Sequence, residues 1–508
     1  MKRIAVKRVD TGIVSNSSAS KVVWSRGRNV RFRPGSVYKT PGKTLLTTVP
    51  AALSIRAMKT FKGHDGVVRT VVACDNKIFS YTGGFTEHVE ITPTPAPTGT
   101  SYVWHFELIG GMLIVSNGFS RWKWPNYAAP LQAMTGAPEK FGMMTVSNNR
   151  LIVGNITDGG NAYPARVKWS QIGKPEIFTI DKTGKGGRHD LLDPNGKSDA
   201  IEIPKAATHR GKRTIIYTER NIWALDPVEF PLDYRPEIIV PGLGLLAPKA
   251  LVSWKGIDYI MGPDDFYMMG SGAPVPFGFD IRPLCFNNLN KEVGVINTAF
   301  GFVLPETQEI GFAVPSKNAT EPDTIYLYHL ELKKWTPLSC NFLCVNDSRQ
   351  DPNYGGAFGG GGFGEGAFGG ANDVNLLPYT VVGNIHGQIL KFDEGFNDNG
   401  EPITGYIESG DMEGDSAFVS KVTHSVAVYL KEQSGTTEPL MIQIGVRDSL
   451  SKPLKWSIPK PFAAGIDEQA DITARGKWMR IRFYSDQMDS PWELEGYELL
   501  YSNEEEIR

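Results

Sequence analysis

The feature that most constrains this chain is a repeated unit: a strand runs into a short polar turn and a second strand follows, often carrying an aromatic residue. Five compact copies are VVACDNKIFSY (71–81), MLIVSNGFSRWKW (112–124), TIIYTERNIWAL (214–225), YIMGPDDFYMMG (259–270) and VVGNIHGQILKF (381–392). Two looser copies have longer connections: RLIVGNI (150–156) with ARVKWSQIG (165–173), and IGFAVPS (310–316) with TIYLYHLELKKW (324–335). Asn117-Gly118 is a two-residue hairpin signal, because both residues tolerate the positive φ such a turn demands. Long stripes of helical period with caps are almost missing. Residues 51–60, AALSIRAMKT, fit a short helix or a strand equally well.

Glycine supplies 55 of the 508 residues and proline 34, against an average glycine usage near 7%. That is the composition of many short strands joined by tight turns. Antiparallel hairpins repeated along one chain predict an all-β fold, a β-propeller of about six blades, with seven the alternative. The units are spaced less evenly than the about 40–45 residues of a regular WD40 array, so insertions between blades are expected. A run of separate β-sandwich domains is the competing architecture.

The propeller with its insertions is expected over residues 1–400. Residues 181–200, DKTGKGGRHDLLDPNGKSDA, read as a polar surface excursion. Residues 351–373 hold the run GGAFGGGGFGEGAFGG (355–370), ten glycines in sixteen with Phe358, Phe363 and Phe368 spaced five apart. Such a backbone forms no stable helix or strand alone. Its phenylalanines either tuck onto the chain itself or dock on a neighbour. After about residue 400 the texture changes: THSVAVYL, LMIQIGV, WMRIRFYS and YELLYS alternate as antiparallel strands. Residues 401–508 are expected to form a small β-region or to supply strands that close the propeller.

Several functions find no support. No run reaches the roughly 18 apolar residues of a membrane span, and MKRIAVKRVDTG lacks the apolar core of a signal peptide, so synthesis in a cytosol is expected. The formal charge is −2, so there is no global cationic field to hold a polyanion. Cys74, Cys285, Cys340 and Cys344 read as reduced core residues. The eight histidines form no H-E-x-x-H pair, and Cys340 and Cys344 lack a second ligand pair for zinc. There is no G-x-S-x-G elbow and no phosphate loop. Asp264-Asp265 sits in a hairpin turn, where aspartate is favoured for backbone reasons, although propeller glycosidases do use acid pairs. No catalytic residue, cofactor or metal site is assigned.

One stretch stands apart. WSRGRNVRFRPGSVYKTPG (24–42) places Arg26, Arg28, Arg31 and Arg33 within eight residues. As a strand, it sets Val30 and Phe32 on one face and Arg31 and Arg33 on the other. The apolar pair is expected to pack inward, and the arginines to face outward or a subunit boundary. There they would pair with carboxylates rather than grip nucleic acid.

That stretch also resembles the opening of β-propeller tail proteins of short-tailed bacteriophages. VKWSQIGKPEIF (167–178) resembles the family's W-S-x-x-G-x-P-x-x-F phrase. TIIYTERNIWAL with GLGLLAPKALVSWKGIDYIMGPDDFYMMGSG (242–272) resembles its central run, and RGKWMRIRFYSDQMDSPWELEGYELLY (475–501) its ending. The phrases come in the family's order and span most of the chain, whereas the glycine–phenylalanine run falls outside the pattern. The resemblance implies a non-enzymatic tail hub or nozzle protein of the virion, made in the host bacterial cytoplasm. It implies a homo-hexameric ring beneath the portal and adaptor proteins, near tail fibre or spike proteins. Such a ring would extend the DNA channel, help retain the packaged genome, and touch passing double-stranded DNA only transiently. Arg26, Arg28, Arg31, Arg33, Phe358, Phe363 and Phe368 are then the interface or channel candidates. The alternatives are a peripheral tail protein that carries fibres or binds receptor, and a glycan-acting propeller enzyme.

Overall fold

Every one of the seven hairpins read from the sequence is the central pair of strands in a four-stranded antiparallel sheet. The computed structural model describes residues 1–15, 23–97, 103–180, 185–192, 202–229, 233–348, 376–431 and 438–504. In the first sheet Ile55–Lys62, Val68–Cys74, Ile78–Thr82 and Glu87–Glu90 lie side by side in chain order. Five more sheets repeat this order, their first strands beginning at His105, Lys140, Pro204, Leu251 and Phe300. A seventh begins at Cys344 and takes its fourth strand, Lys43–Thr48, from ahead of the first sheet.

These sheets are the blades of a closed propeller, and the closure is visible in the packing. Each sheet buries apolar side chains on both faces, so neighbouring blades share a core. Phe61 and Val71 of blade 1 meet Trp122 and Trp124 of blade 2. Ile114 of blade 2 meets Phe141 and Val153 of blade 3. Ile152 and Trp169 of blade 3 meet Trp223 of blade 4. One large cluster joins blades 4, 5 and 6 through Tyr217, Phe266 and Trp335. Phe302 of blade 6 packs with Val382 and Leu390 of blade 7, and Val381 and Cys344 of blade 7 with Ile55 and Cys74 of blade 1. The ring therefore has seven blades rather than the six the sequence favours. Lys43–Thr48 locks it by pairing antiparallel with Gln388–Phe392, Leu45 opposite Leu390 and Lys43 opposite Phe392.

Two further expectations change. Within the predicted surface excursion, Gly187–Asp190 is the outer strand of blade 3, paired with Arg166–Trp169; four polar residues at a sheet edge carry no apolar signal. The propeller also does not begin at residue 1, and residues beyond 400 do not close it. Instead both chain regions build a β-sandwich. One sheet joins Val30–Arg33, Ser36–Lys39, Glu493–Asn503, Lys421–Leu430 and Gln469–Asp471, with Lys2–Val6 and Arg475–Gly476 added at its sides. The other joins Trp24–Arg28, Gly405–Ser409, Trp478–Ser485, Leu440–Arg447 and Lys455–Trp456, with Lys460–Phe462 beside them. Between the sheets lie Trp24, Phe32, Val426, Ile442, Ile481, Phe483 and Leu499, all buried, so the alternation read after residue 400 faces a core as expected. The Trp24 indole N–H donates to the Val9 carbonyl (2.6 Å).

The chain crosses from one sheet to the other at Asn29, whose φ of 55° turns the strand direction in a region that asparagine tolerates better than most side chains. The same residue rivets the sandwich to blade 6. Its backbone N–H donates to the Pro337 carbonyl (3.1 Å), its side-chain oxygen accepts from the Ser339 N–H (2.7 Å), and its side-chain nitrogen donates to the Ser339 hydroxyl (3.2 Å) and, on the sandwich side, to the Thr404 carbonyl (2.8 Å). No helix among the described residues is long and apolar enough to cross a membrane.

Candidate functional site: the basic strip and the propeller axis

The four arginines of the strip have four different environments. Val30 and Phe32 pack into the sandwich core as expected. Arg31, on the opposite face, does not point to solvent or to a subunit boundary: only 1% of it is exposed. Its guanidinium spans the junction between the two modules. Nη1 donates to Asp393 Oδ2 (2.6 Å), beyond the third strand of blade 7, and Nη2 donates to Glu309 Oε2, which begins the second strand of blade 6. Nη2 also lies 3.3 Å from the Thr307 hydroxyl. The expected carboxylate pairing is present but intramolecular, because the face opposite the sandwich core is covered by the propeller. Burial drives the Asp393 carboxyl upward, only partly offset by Arg31; Glu309, close by, pushes the same way.

Arg33, two residues on, is half-exposed; it lies 3.4 Å from Glu493 Oε2 and stacks on the Tyr38 ring at 4.0 Å. Arg28 donates from Nε to the Ser339 hydroxyl (2.9 Å) and reaches the Asp323 carbonyl, a second tie to blade 6. Arg26 is exposed on the sandwich. Phe358, Phe363 and Phe368 lie outside the described residues, whose flanks Ser348 and Leu376 are joined by a backbone hydrogen bond (2.7 Å).

The acidic pair of the fourth compact hairpin serves its turn. Asp265 Oδ1 accepts from the Phe266 backbone N–H (2.7 Å), and Asp264 accepts from the Tyr267 hydroxyl (3.0 Å). Cys340 and Cys344 are buried and free, and burial pushes both thiols up to about 12. Among the described residues no group of three or more His, Cys, Asp or Glu is placed to hold a metal ion.

Sequence reasoning missed the propeller axis, where first strands from different blades converge. Lys59 of blade 1 pairs with Asp347 of blade 7 (2.7 Å). Arg56 of blade 1 pairs with Asp75 (2.7 Å) and with Glu321 of blade 6 (2.9 Å). Lys205 donates to the carbonyls of Leu245 (3.1 Å) and Leu246 (3.2 Å), ahead of blade 5. His105 opens the first strand of blade 2, and Lys249 lies two residues ahead of the first strand of blade 5. Burial lowers the His105 imidazole to about 4 and the Lys249 ammonium to about 8. A cavity of about 90 Å³ lies beside Leu251, Gly301, Val303, Val345 and Asp347. These charged residues belong to no common motif; the cations lie on or just ahead of first strands, and their carboxylate partners come from turns and strand ends of the same or other blades.

Fold and junction together define a seven-bladed β-propeller carrying a β-sandwich made from both ends of the chain. No family model matches the chain, and no curated protein sequence matches it. Three solved structures similar to it are propeller-containing or extracellular domains. The WD40 domain of Neurospora crassa Pan2 aligns over 70% of this chain and 95% of its own at 9% identity, with a TM-score of 0.39. A streptogramin B lyase aligns over 69% and 95% at 12% identity, with a TM-score of 0.36. The extracellular domain of the putative hybrid two-component system BT4673 from B. thetaiotaomicron aligns over 84% of this chain and 48% of its own at 10% identity, with a TM-score of 0.43. With every TM-score below 0.5, the propeller assignment rests on the strand pairing and the inter-blade cores described above.

Proposed function

We propose that this chain is a structural subunit of a bacteriophage tail hub or nozzle. In this reading six copies form a ring below the portal and adaptor, prolong the DNA channel, help retain the packaged genome and conduct it on ejection. The observation that carries the reading is the ordered set of phrases resembling tail propellers of short-tailed phages. They fall in both modules: 24–42 runs from the sandwich to the strand that closes the propeller, 167–178 and 214–225 belong to blades 3 and 4, 242–272 covers most of blade 5, and 475–501 completes the sandwich.

The physical character of the molecule suits a wall element. Its two modules are tied by a buried ion triad and by the hydrogen bonds of Asn29, so they transmit load as one body. A head-to-tail ring needs such rigidity, because a heterologous interface closes only when the rotation per subunit is fixed. In this reading the DNA path runs between copies and not through a propeller, whose neighbouring blades share continuous apolar cores. A near-neutral wall lets a polyanion slide, since few phosphate contacts release few counterions.

Cryo-electron microscopy of the particle that carries this chain tests the proposal. Six copies around a continuous axial channel are expected. Copies at the tail periphery would replace the conduit with a fibre-carrying or receptor-binding part. A compact monomer found in no particle would overturn both and reopen glycan chemistry.

A further inference from the structure

The two outer faces of the sandwich differ in a way that fits one to the other. In the sheet that runs from Trp24–Arg28 to Leu440–Arg447, Ile407, Phe483 and Ile442 stand side by side and point into the core, so the residues on either side of them face outward. The pairing sets Arg28, Tyr406, Tyr484 and Met441 in one outer row across four strands, and Arg26, Glu408, Arg482 and Gln443 in the next. Trp456 lies over Gly445 in the row beyond. Tyr406, Tyr484, Met441 and Trp456 all stay partly exposed. The face is also fixed in shape: Arg482 donates to Glu408 Oε1 (2.8 Å) and stacks on Trp456 at 4.0 Å. Tyrosine, tryptophan, arginine and methionine are the residues enriched where proteins meet.

Charge on this face is one-sided. Arg26, Arg28, Arg447, Arg480 and Arg482 share it with Glu408 and Asp411, both already bonded to arginine. Arg26 is exposed and, among the described residues, has no ion pair and no hydrogen bond. The whole chain is −2, so its other surfaces are acidic in sum. The outer face of the opposite sheet has the contrary make-up. Ala5, Glu498, Ala427 and Gln469 form one row, and Arg3, Leu500, Ser425 and Asp471 the next. Its centre is a bed of small side chains. At its side Asp471, with Asp467 and Glu468 in the turn before it, is exposed and has no ion pair among the described residues.

We propose that these two faces meet between copies of this chain, the arginine–aromatic face of one sandwich lying on the small, acidic face of the next. Large side chains then oppose small ones, and Arg26 finds the carboxylates it lacks within its own copy. Like faces do not pair, because two arginine faces repel, so the contact is head-to-tail. A phosphate backbone would match the arginines but leave the aromatic row without an apolar partner. Five strands about 4.8 Å apart and about 20 Å long give a footprint of about 500 Å² per copy, or about 1,000 Å² for the pair, where specific interfaces begin. Sheets packed face to face turn by about 30°, so each copy is rotated against the last. In the tail reading, on which this step rests, the contact repeats around the six copies and keeps the exposed arginine off the channel wall.

The four native cysteines are buried, so introduced thiols report the contact. Met441→Cys marks one face and Ala427→Cys the other, and a bismaleimide spanning about 10 Å, the spacing of packed sheets, joins them. The full chain with both substitutions is expected to give a ladder of covalent multimers. A mixture of the two single variants is expected to stop at dimers, and each single variant alone to stay monomeric. Adding Arg26→Glu to the double variant is expected to lower the multimer yield about tenfold, because like charges then face each other. A double variant that forms no multimers overturns the contact, and so do dimers from one single variant alone. Sedimentation needs no substitution: a parent chain of monomer size at every concentration overturns it as well. DNA bound by the parent chain and released by Arg26→Glu, without cross-links, would assign the arginine face to a polyanion instead. Six-fold rings in electron micrographs without cross-links sink this contact and leave the ring. Cross-linked multimers of a chain found in no particle leave the contact and sink the tail reading.

Discussion

Arg31→Ala is the sharpest test of how the two modules are held together. Arg31 is 1% exposed, its partners Glu309 and Asp393 are 4% and 22% exposed as side chains, and the contacts join sandwich to propeller. Removing one partner from a buried ion pair costs about 3–5 kcal/mol, because the remaining charge is left uncompensated; here two carboxylates are left facing each other. With an unfolding entropy of about 2.1 cal/mol/K per residue, a chain of this length loses about 1 °C of melting temperature per kcal/mol, so a fall of about 3–5 °C is expected. The neighbouring Arg33→Ala is the control. That side chain is half-exposed and 3.4 Å from Glu493, so its loss costs no more than about 1 kcal/mol. Replacing all three members of the triad, Arg31→Met with Glu309→Gln and Asp393→Asn, removes the charges together and is expected to recover most of the loss. Differential scanning calorimetry reads all three variants. Equal losses for Arg31→Ala and Arg33→Ala, or a triple variant no better than Arg31→Ala, would refute the claim that a desolvated triad holds the junction.

Other expectations are simpler to state. Gly42→Ala places a Cβ 1.8 Å from the Asn397 carbonyl oxygen, beside the strand that closes the ring; overpacking of this kind costs about 1–3 kcal/mol, and a calorimetric shift under about 0.5 °C would contradict it. Burial holds Lys39 and Lys249 near 8, below the ordinary lysine value of 10.5. Between those two pH values the unfolded chain binds protons that the folded chain does not, so these groups make stability rise with pH there, and below about 8 their full cost is present. The double substitution Lys39→Met, Lys249→Met is expected to flatten that rise in denaturation curves taken from pH 7.5 to 10. A chain lacking residues 1–48 loses the outer strand of blade 7 and four strands of the sandwich; it is expected to be recovered aggregated, and a soluble monomer with native circular dichroism would contradict the closure described here.

Local pattern made the middle of each blade legible. Runs such as VVAC, LIVG and TIIY are buried on both faces between neighbouring blades, so they appear as apolar stretches flanked by turns. All seven blades are present among the hairpins in the sequence, but the uneven spacing between them leaves the count open between six and seven. The outer strands were not legible. Glu87–Glu90 is exposed along its whole length, and Gly187–Asp190 is hidden in what reads as a polar loop. The basic strip was half legible. Strand alternation correctly separated Val30 and Phe32 from Arg31 and Arg33, but it says which residues share a face and not what covers that face.

The sequence alone thus determined the all-β class, the hairpin unit, the inward set of the basic strip and the lack of a recognisable catalytic motif. These follow from side-chain periodicity and turn chemistry, which act over a few residues. Tertiary structure alone decided the blade number, the union of both chain ends in one sandwich, and the burial of Arg31. Those depend on pairings such as Arg26 with Glu408 and Lys2 with Tyr501. Contacts between residues hundreds of positions apart leave no periodic trace, because they are selected only when the whole ring and sandwich bury their surfaces together.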